Sequence, residues 1–211
     1  MINVCAYCGS YRPDKEILQN PTQAICPDCG HSHQFVQQPL FIICGPSGGG
    51  KTAVCRHLQQ SLHPFIPLEA DILYRAEFNN PQNGPRDFNE TWLRVCKNIG
   101  QSGQPVVLFH SGGLPQHVEP CLERRYFGNV HYLALVANDE TIANRLAARP
   151  AWRGYTPESI ANQVAYNQWL RRERPNHVHP MNVLDTTHAA IAKTSAEVVR
   201  WIKEKLRQYE S

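Results

Sequence analysis

Gly45-Pro46-Ser47-Gly48-Gly49-Gly50-Lys51-Thr52 decides the reading of this chain. It follows the apolar run Leu40-Phe41-Ile42-Ile43-Cys44 and precedes a helix-like segment from Ala53 to about Ser61. The spacing is G-x-x-x-x-G-K-T, and strand, glycine loop and helix come in the order a phosphate-binding loop requires. Small residues let successive backbone N–H groups wrap an anion, and the helix start adds partial positive charge. Lys51 reaches the outer phosphates of a nucleotide, and the Thr52 hydroxyl is placed for Mg²⁺. The stretch predicts bound ATP or GTP.

The chain before this loop carries a different signature. Cys5-x2-Cys8 and Cys26-x2-Cys29 form two pairs, each followed by a glycine, Gly9 and Gly30. Four thiolates at this spacing suit tetrahedral, structural Zn²⁺ and leave no open position for catalysis. Residues 1–36 hold few large apolar side chains, so a metal would supply much of their folding free energy. We read them as a zinc ribbon, with residues 37–211 as a larger phosphate-loop domain. Ribbons bind protein or nucleic acid, or brace their host. With two basic and three acidic residues between Cys5 and Cys29, bracing or protein contact is favoured.

Composition narrows the field. The 211 residues carry 21 basic and 18 acidic side chains, a net charge of +3 that argues against wrapping nucleic acid or adhering to a membrane. No apolar run approaches the roughly 18 residues a membrane helix needs. The remaining cysteines, Cys44, Cys55, Cys96 and Cys121, stand singly in core-like segments, which predicts reduced thiols and a cytoplasmic protein.

Beyond the loop, strand-like and helix-like segments alternate from residue 40 to 207. That alternation predicts a three-layer α/β fold with a mostly parallel sheet. Phe65-Ile66-Pro67-Leu68 reads as an edge strand because of Pro67. It leads to Glu69-Ala70-Asp71, a carboxylate pair 18 and 20 residues after Lys51. Glu69 is assigned to magnesium, and Asp71 to the acceptor as general base.

The polar segment 72–85 offers Arg75 and Arg86 as anion contacts, and Asp87 or Asn89 as cap of the next helix. The strand Pro105–Phe109 ends in His110-Ser111-Gly112-Gly113, without the acidic residue that motor, helicase and transporter ATPases place there. His110, Gly112 and Gly113 are candidate substrate contacts, since glycine lets backbone approach a ligand closely. Gln116 to Tyr126 reads as a helix. Residues 145–174 carry six arginines against two acids, read as a lid over about 149–174. Arg149 and Arg153 would neutralise charge on the transferred phosphoryl group. Thr156-Pro157 marks a helix start.

These motifs resemble the small-molecule branch of the phosphate-loop kinases, including shikimate, gluconate, nucleoside and nucleoside-monophosphate kinases. The resemblance spans about residues 40–207. It implies that Gly45–Thr52 cradle the donor and that Glu69 and Asp71 serve magnesium and acceptor. It further implies that Gly112 and Gly113 face the acceptor, and that Arg145 and Arg149 form the R-x-x-x-R pair before the lid. Asp185 and Thr186 fall in the family's adenine-side segment. Glu69 stands where the family usually has Asp, and the ribbon is an addition.

The function expected is ATP-dependent phosphoryl transfer to a small-molecule acceptor, with nucleosides or nucleotides favoured. A nucleic-acid-end kinase or nucleic-acid-associated NTPase is the first alternative, a nucleotide-binding regulatory protein the second. A basic groove from ribbon to lid would mark the first alternative, and loss of the carboxylates from the pocket the second. A closed pocket bounded by Asp71, Arg75 and Gly112 would mark the kinase.

Overall fold

The computed structural model describes residues 2–172 and 179–209. Strands β1 (Glu16–Leu18), β2 (Gln23–Ile25) and β3 (Ser32–Gln34) form a small antiparallel sheet. Strands β4 (Leu40–Cys44), β5 (Ile66–Glu69), β6 (Val106–Phe109), β7 (Val130–Val136) and β8 (Met181–Asp185) form a parallel sheet in the order β5-β6-β4-β7-β8. The helices are α1 (Lys51–Leu58), α2 (Gly84–Gly100), α3 (Pro115–Val118), α4 (Asp139–Ala147), α5 (Pro157–Arg172) and α6 (Ile191–Leu206). No helix among the described residues is long and apolar enough to cross a membrane.

Period-two alternation in β4 builds both faces of the core. Leu40, Ile42 and Cys44 point to the side where Trp92 and Leu93 of α2 and Leu170 of α5 pack. Phe41 and Ile43 point to the other, against Val54 and Leu58 of α1 and Val198 and Ile202 of α6. β4 pairs in register with β6 on one edge and β7 on the other, so Gly45, His110 and Ala137 emerge at one end of the sheet. That end is where a parallel sheet gathers its ligands. Pro67 sits in β5, at the sheet edge, where a missing N–H costs least.

Two local expectations are corrected. The segment 116–126 is not one helix: α3 stops before Pro120, Cys121 is extended, and a 3-10 turn follows over Leu122–Tyr126. A proline at that point supplies no N–H and clashes with the preceding turn. Asp87 and Asn89 do not cap α2, which begins earlier, at Gly84, with Pro85 in its first turn.

The small sheet is seated on the outer end of α2. Ile2, Ala24 and Phe35 pack against Tyr126, whose hydroxyl donates to the Pro13 carbonyl at 2.9 Å. Beneath lies a polar knot. Glu123 is wholly buried and accepts from Lys97, from Arg94 at 3.0 Å and from the Asn3 amide at 2.6 Å. Lys97 is itself 2% exposed, also reaches the Asn3 side-chain oxygen, and stands 3.9 Å from the Tyr126 ring centroid. A buried pair of this kind adds little as a pair, but breaking it strands a charge. Glu123→Leu should lower unfolding free energy by about 3 kcal/mol in urea titrations. The double variant Lys97→Met/Glu123→Leu should recover part of that loss.

Candidate active site and metal centre

The glycine loop sits where β4 leaves the core. Gly45 has φ 136°, and a Cβ on it would stand 2.3 Å from the Leu135 carbonyl oxygen, so no other residue fits. Lys51, half-buried at the start of α1, donates to the carbonyls of Gly45 (2.7 Å) and Pro46 (3.0 Å). Burial pushes its ammonium down to about 8. The Thr52 hydroxyl hydrogen-bonds the Glu69 carboxylate at the end of β5. A hydroxyl and a carboxylate in contact are the hard oxygen donors that Mg²⁺ takes, with water and phosphate completing its shell.

These residues line a cavity of about 520 Å³, bounded by Ser47, Gly48, Gly50, Lys51, Thr52, Glu69 and Asp71 on one side. Arg145, Arg149, Arg153 and Tyr155 bound the other side. Arg145 donates to the carbonyls of Gly48 (3.1 Å) and Thr186 (2.9 Å), tying α4 to the loop and to the end of β8. Arg149 donates to the Tyr155 hydroxyl at 2.8 Å and lies over its ring, and Arg153 lies over the exposed Trp152.

Asp71 and Ser111 also border a second cavity, of about 420 Å³, whose wall includes Tyr74, Phe78, Phe88 and Gly112. His110 lines it too, but its ring is committed. Its Nδ1 accepts from the Gly112 N–H at 3.3 Å, so Nε2–H donates to Asn89 Oδ1 at 3.1 Å, and the Asn89 amide donates to the Pro85 carbonyl. Burial pushes His110 down to about 4, so this imidazole is neutral. Its place is to fix the turn after β6 against α2.

Other candidates fall elsewhere. Arg75 lies on the Phe78 ring, 5.3 Å from its centroid, and does not line either cavity. Arg86 lines a neighbouring groove with Gln116 and Pro120. Gly113 is required by packing: a Cβ there would meet Ile42 at 2.6 Å. Thr186 is buried, its hydroxyl 3.0 Å from the Val136 carbonyl, so it braces the loop from inside. Asp185 accepts from the Thr187 N–H at 2.8 Å and lines a separate groove with Asn138, His188 and Lys193.

The segment expected as a lid divides. Residues 149–155 stand over the first cavity. Helix α5 is docked instead, because Asn167, wholly buried, bridges the N–H and carbonyl of Ala137. Tyr166 donates to the Ser111 carbonyl, and Gln163 accepts from the Ser47 N–H at 2.7 Å. Thr156 and Ser159 exchange bonds at the start of α5. Residues 173 and 174 lie outside the described residues.

Sequence reasoning missed Gln163, Ser111, Tyr155 and the ring wall of Tyr74, Phe78 and Phe88. Gln163 and Asn167 share helical spacing with Tyr166 and Leu170, but as polar residues they add nothing to the apolar periodicity by which a helix face is read.

At the far end of the molecule, Cys5, Cys8, Cys26 and Cys29 bring their four Sγ atoms within 4.8 Å of one another. Cys5–Cys29 and Cys8–Cys26 are 3.6 and 3.8 Å apart. Four thiolates about 2.3 Å from one tetrahedral ion lie ~3.8 Å apart, so the cluster fits a chelated metal. The two turns match: Gly9 and Gly30 have φ 75° and 73°, and each returns its N–H to the carbonyl of the first cysteine in its pair.

No protein-family model matches this chain, and no curated protein matches it. Solved structures do. A sugar kinase from Janibacter sp. HTCC2649 superposes with a TM-score of 0.60 at 16% identity, over 79% of this chain and 95% of that one. A gluconokinase from Sinorhizobium meliloti 1021 gives 0.53 at 20%, over 85% and 100%. The Mycobacterium tuberculosis APS kinase, in complex with AMPPNP and APS, gives 0.54 at 14%, over 79% and 99%. The chain thus has a fold like that of the small-molecule phosphate-loop kinases, with a cysteine cluster able to hold a metal near its N-terminus.

The cluster predicts one metal ion per chain by mass spectrometry of the folded protein. Cys26→Ser should lower that content to well under half and reduce the melting temperature. Full retention of the ion would show that the cluster is not its site.

Proposed function

We propose that this chain is a magnesium-dependent phosphotransferase that moves the terminal phosphoryl group of ATP, or GTP, to the hydroxyl of a small molecule. The observation that carries this reading is the shared wall. Asp71 and Ser111 border both the phosphate-loop cavity and the ring-lined cavity, so a donor and an acceptor bound one in each would meet there. Alignment of this kind is most of what phosphoryl transfer asks of a protein.

The roles follow from placement. The N–H groups of Gly48, Gly50, Lys51 and Thr52, which line the cavity, and the Lys51 ammonium would hold the donor phosphates. Thr52 and Glu69 would hold Mg²⁺, whose charge offsets that of the phosphates. Arg145 is fixed to the loop, while Arg149 and Arg153, held on aromatic faces, flank the terminal phosphate. Asp71 accepts the proton of the attacking hydroxyl.

We assign Zn²⁺ to the four-cysteine cluster as a structural ion, because four thiolates close the shell. The ribbon's Arg12 is paired with Asp14 and Asp28, which leaves that face little cationic pull on nucleic acid. The carboxylates remain in the pocket, which favours turnover over a purely regulatory role.

Two measurements test the reading. With any phosphorylated acceptor, Asp71→Asn should cut kcat by about 10²-fold or more and leave ADP affinity within about twofold. An unchanged kcat would remove Asp71 as base. Lys51 supplies the pH dependence: its ammonium is charged below about 8 and neutral above. Binding of ADP, followed by calorimetry, should weaken as pH rises through that value, and the dependence should vanish in Lys51→Met.

A further inference from the structure

We propose that the acceptor is an uncharged alcohol carrying a planar ring, of the chemical class of the nucleosides, bound in the second cavity beside Asp71. This rests on the phosphotransferase reading and names the substrate of the same site.

The argument begins with charge. Among the described residues lining the cavity there is no lysine or arginine, and Asp71 is its one carboxylate. Arg75 lies over the Phe78 ring and does not line the cavity, and Arg86 opens into the neighbouring groove. His117, at the rim, has its Nδ1 3.3 Å from the Gly112 carbonyl, and His110 is neutral. A sugar acid or a nucleoside monophosphate seated here would bring a second anion beside Asp71 with no lysine or arginine among the described lining residues to meet it. Desolvating an unpaired anion is among the costliest acts in a protein.

Shape and polarity then separate the neutral acceptors. Phe88 is the hub of an aromatic wall: it meets Tyr74 edge to face at 5.7 Å, Phe78 tilted at 4.8 Å and His110 edge to face at 5.1 Å. Rings in this arrangement offer flat apolar area and few hydrogen-bonding groups, which suits a planar ring and wastes the hydroxyls of an open-chain polyol. The Asn79 amide, which accepts from the Tyr74 hydroxyl, adds an edge that can be read by a heterocycle. With the ring against this wall, a hydroxyl on the attached sugar points toward Asp71 and Ser111, where the donor's cavity begins.

The transfer balances. The acceptor oxygen forms the new O–P bond, and the bond from the terminal phosphorus to its bridging oxygen breaks. The nucleoside diphosphate leaves with that electron pair, and the hydroxyl proton passes to the Asp71 carboxylate.

The test uses the full chain, loaded with Mg²⁺ and a non-hydrolysable ATP analogue so that nucleosides cannot enter the donor site. The common ribonucleosides, their 5′-monophosphates and gluconate are titrated separately by ligand-observed NMR or calorimetry. At least one nucleoside should bind and, when ATP replaces the analogue, acquire phosphate. Its monophosphate and gluconate should bind at least about tenfold more weakly. Tyr74→Ala, at an exposed position, and Phe78→Ala should each weaken the nucleoside about tenfold and leave the analogue's affinity unchanged. Asn79→Arg should shift preference toward the monophosphate. Absence of nucleoside binding to an analogue-loaded protein would overturn the assignment while leaving the phosphotransferase reading intact. Tighter binding of the anions would do the same. Failure of the analogue itself to bind would overturn both.

Discussion

A strand buried on both faces and hydrogen-bonded along both edges has no freedom left, and β4 is that strand here. Its five residues alternate between two cores, one shared with α2 and α5 and the other with α1 and α6. The glycine loop inherits this fixity. Gly45 leaves the strand so close to Leu135 of β7 that its path is set by the neighbouring backbone, and Arg145 and Thr186 brace the loop from behind. A loop meant to present N–H groups to an anion gains from being held in shape before the anion arrives, because its ordering cost is then met during folding rather than binding.

The same frame explains why the two cavities adjoin. β4, β5 and β6 end at a common level, so Gly45, Glu69 and His110 begin their loops side by side. The first cavity is built by the loop, by Glu69 and by the arginines of α4 and the following turn. The second cavity is built by the two short turns after β5, by the first turns of α2 and by the turn after β6. α5 joins the two from outside, with Gln163 on Ser47 and Tyr166 on Ser111.

Much of this was legible in the sequence, for a physical reason. The buried run 40–44, the glycine loop and the paired cysteines each depend on spacing along the chain, and spacing is what a sequence displays. Pro67 announces an edge strand because a missing N–H has only a few places to go. The wall of the second cavity was not legible in the same way. Arg75 and Arg86 look like anion contacts by type, but in space one stacks on Phe78 and the other turns into a different groove. His110 reads as a ligand contact until its two ring nitrogens are seen to be taken by Gly112 and Asn89. The start of α5 was legible at Thr156-Pro157, but its docking through Asn167 was not, because a search for apolar periodicity passes over a polar side chain that bonds the backbone of Ala137. The break at Pro120 was a chance to shorten the helix 116–126 from sequence alone, since proline inside a helix is costly.

The seat of the small sheet on α2 makes the joint between the two sheets a join in sequence only. Asn3 completes the partners of a carboxylate and an ammonium that lie under it, and Gln101 exchanges bonds with both the N–H and the carbonyl of Val36 in the connecting segment. A cut before β4 would therefore not release a self-contained α/β half. It would open Lys97 and Glu123 to water, bare one flank of Tyr126 and leave the outer end of α2 without its support. The helix that loses its support is the one whose other end, at Pro85, Phe88 and Asn89, walls the second cavity. In this molecule the appendage that carries the cysteine cluster is the far abutment of the second cavity.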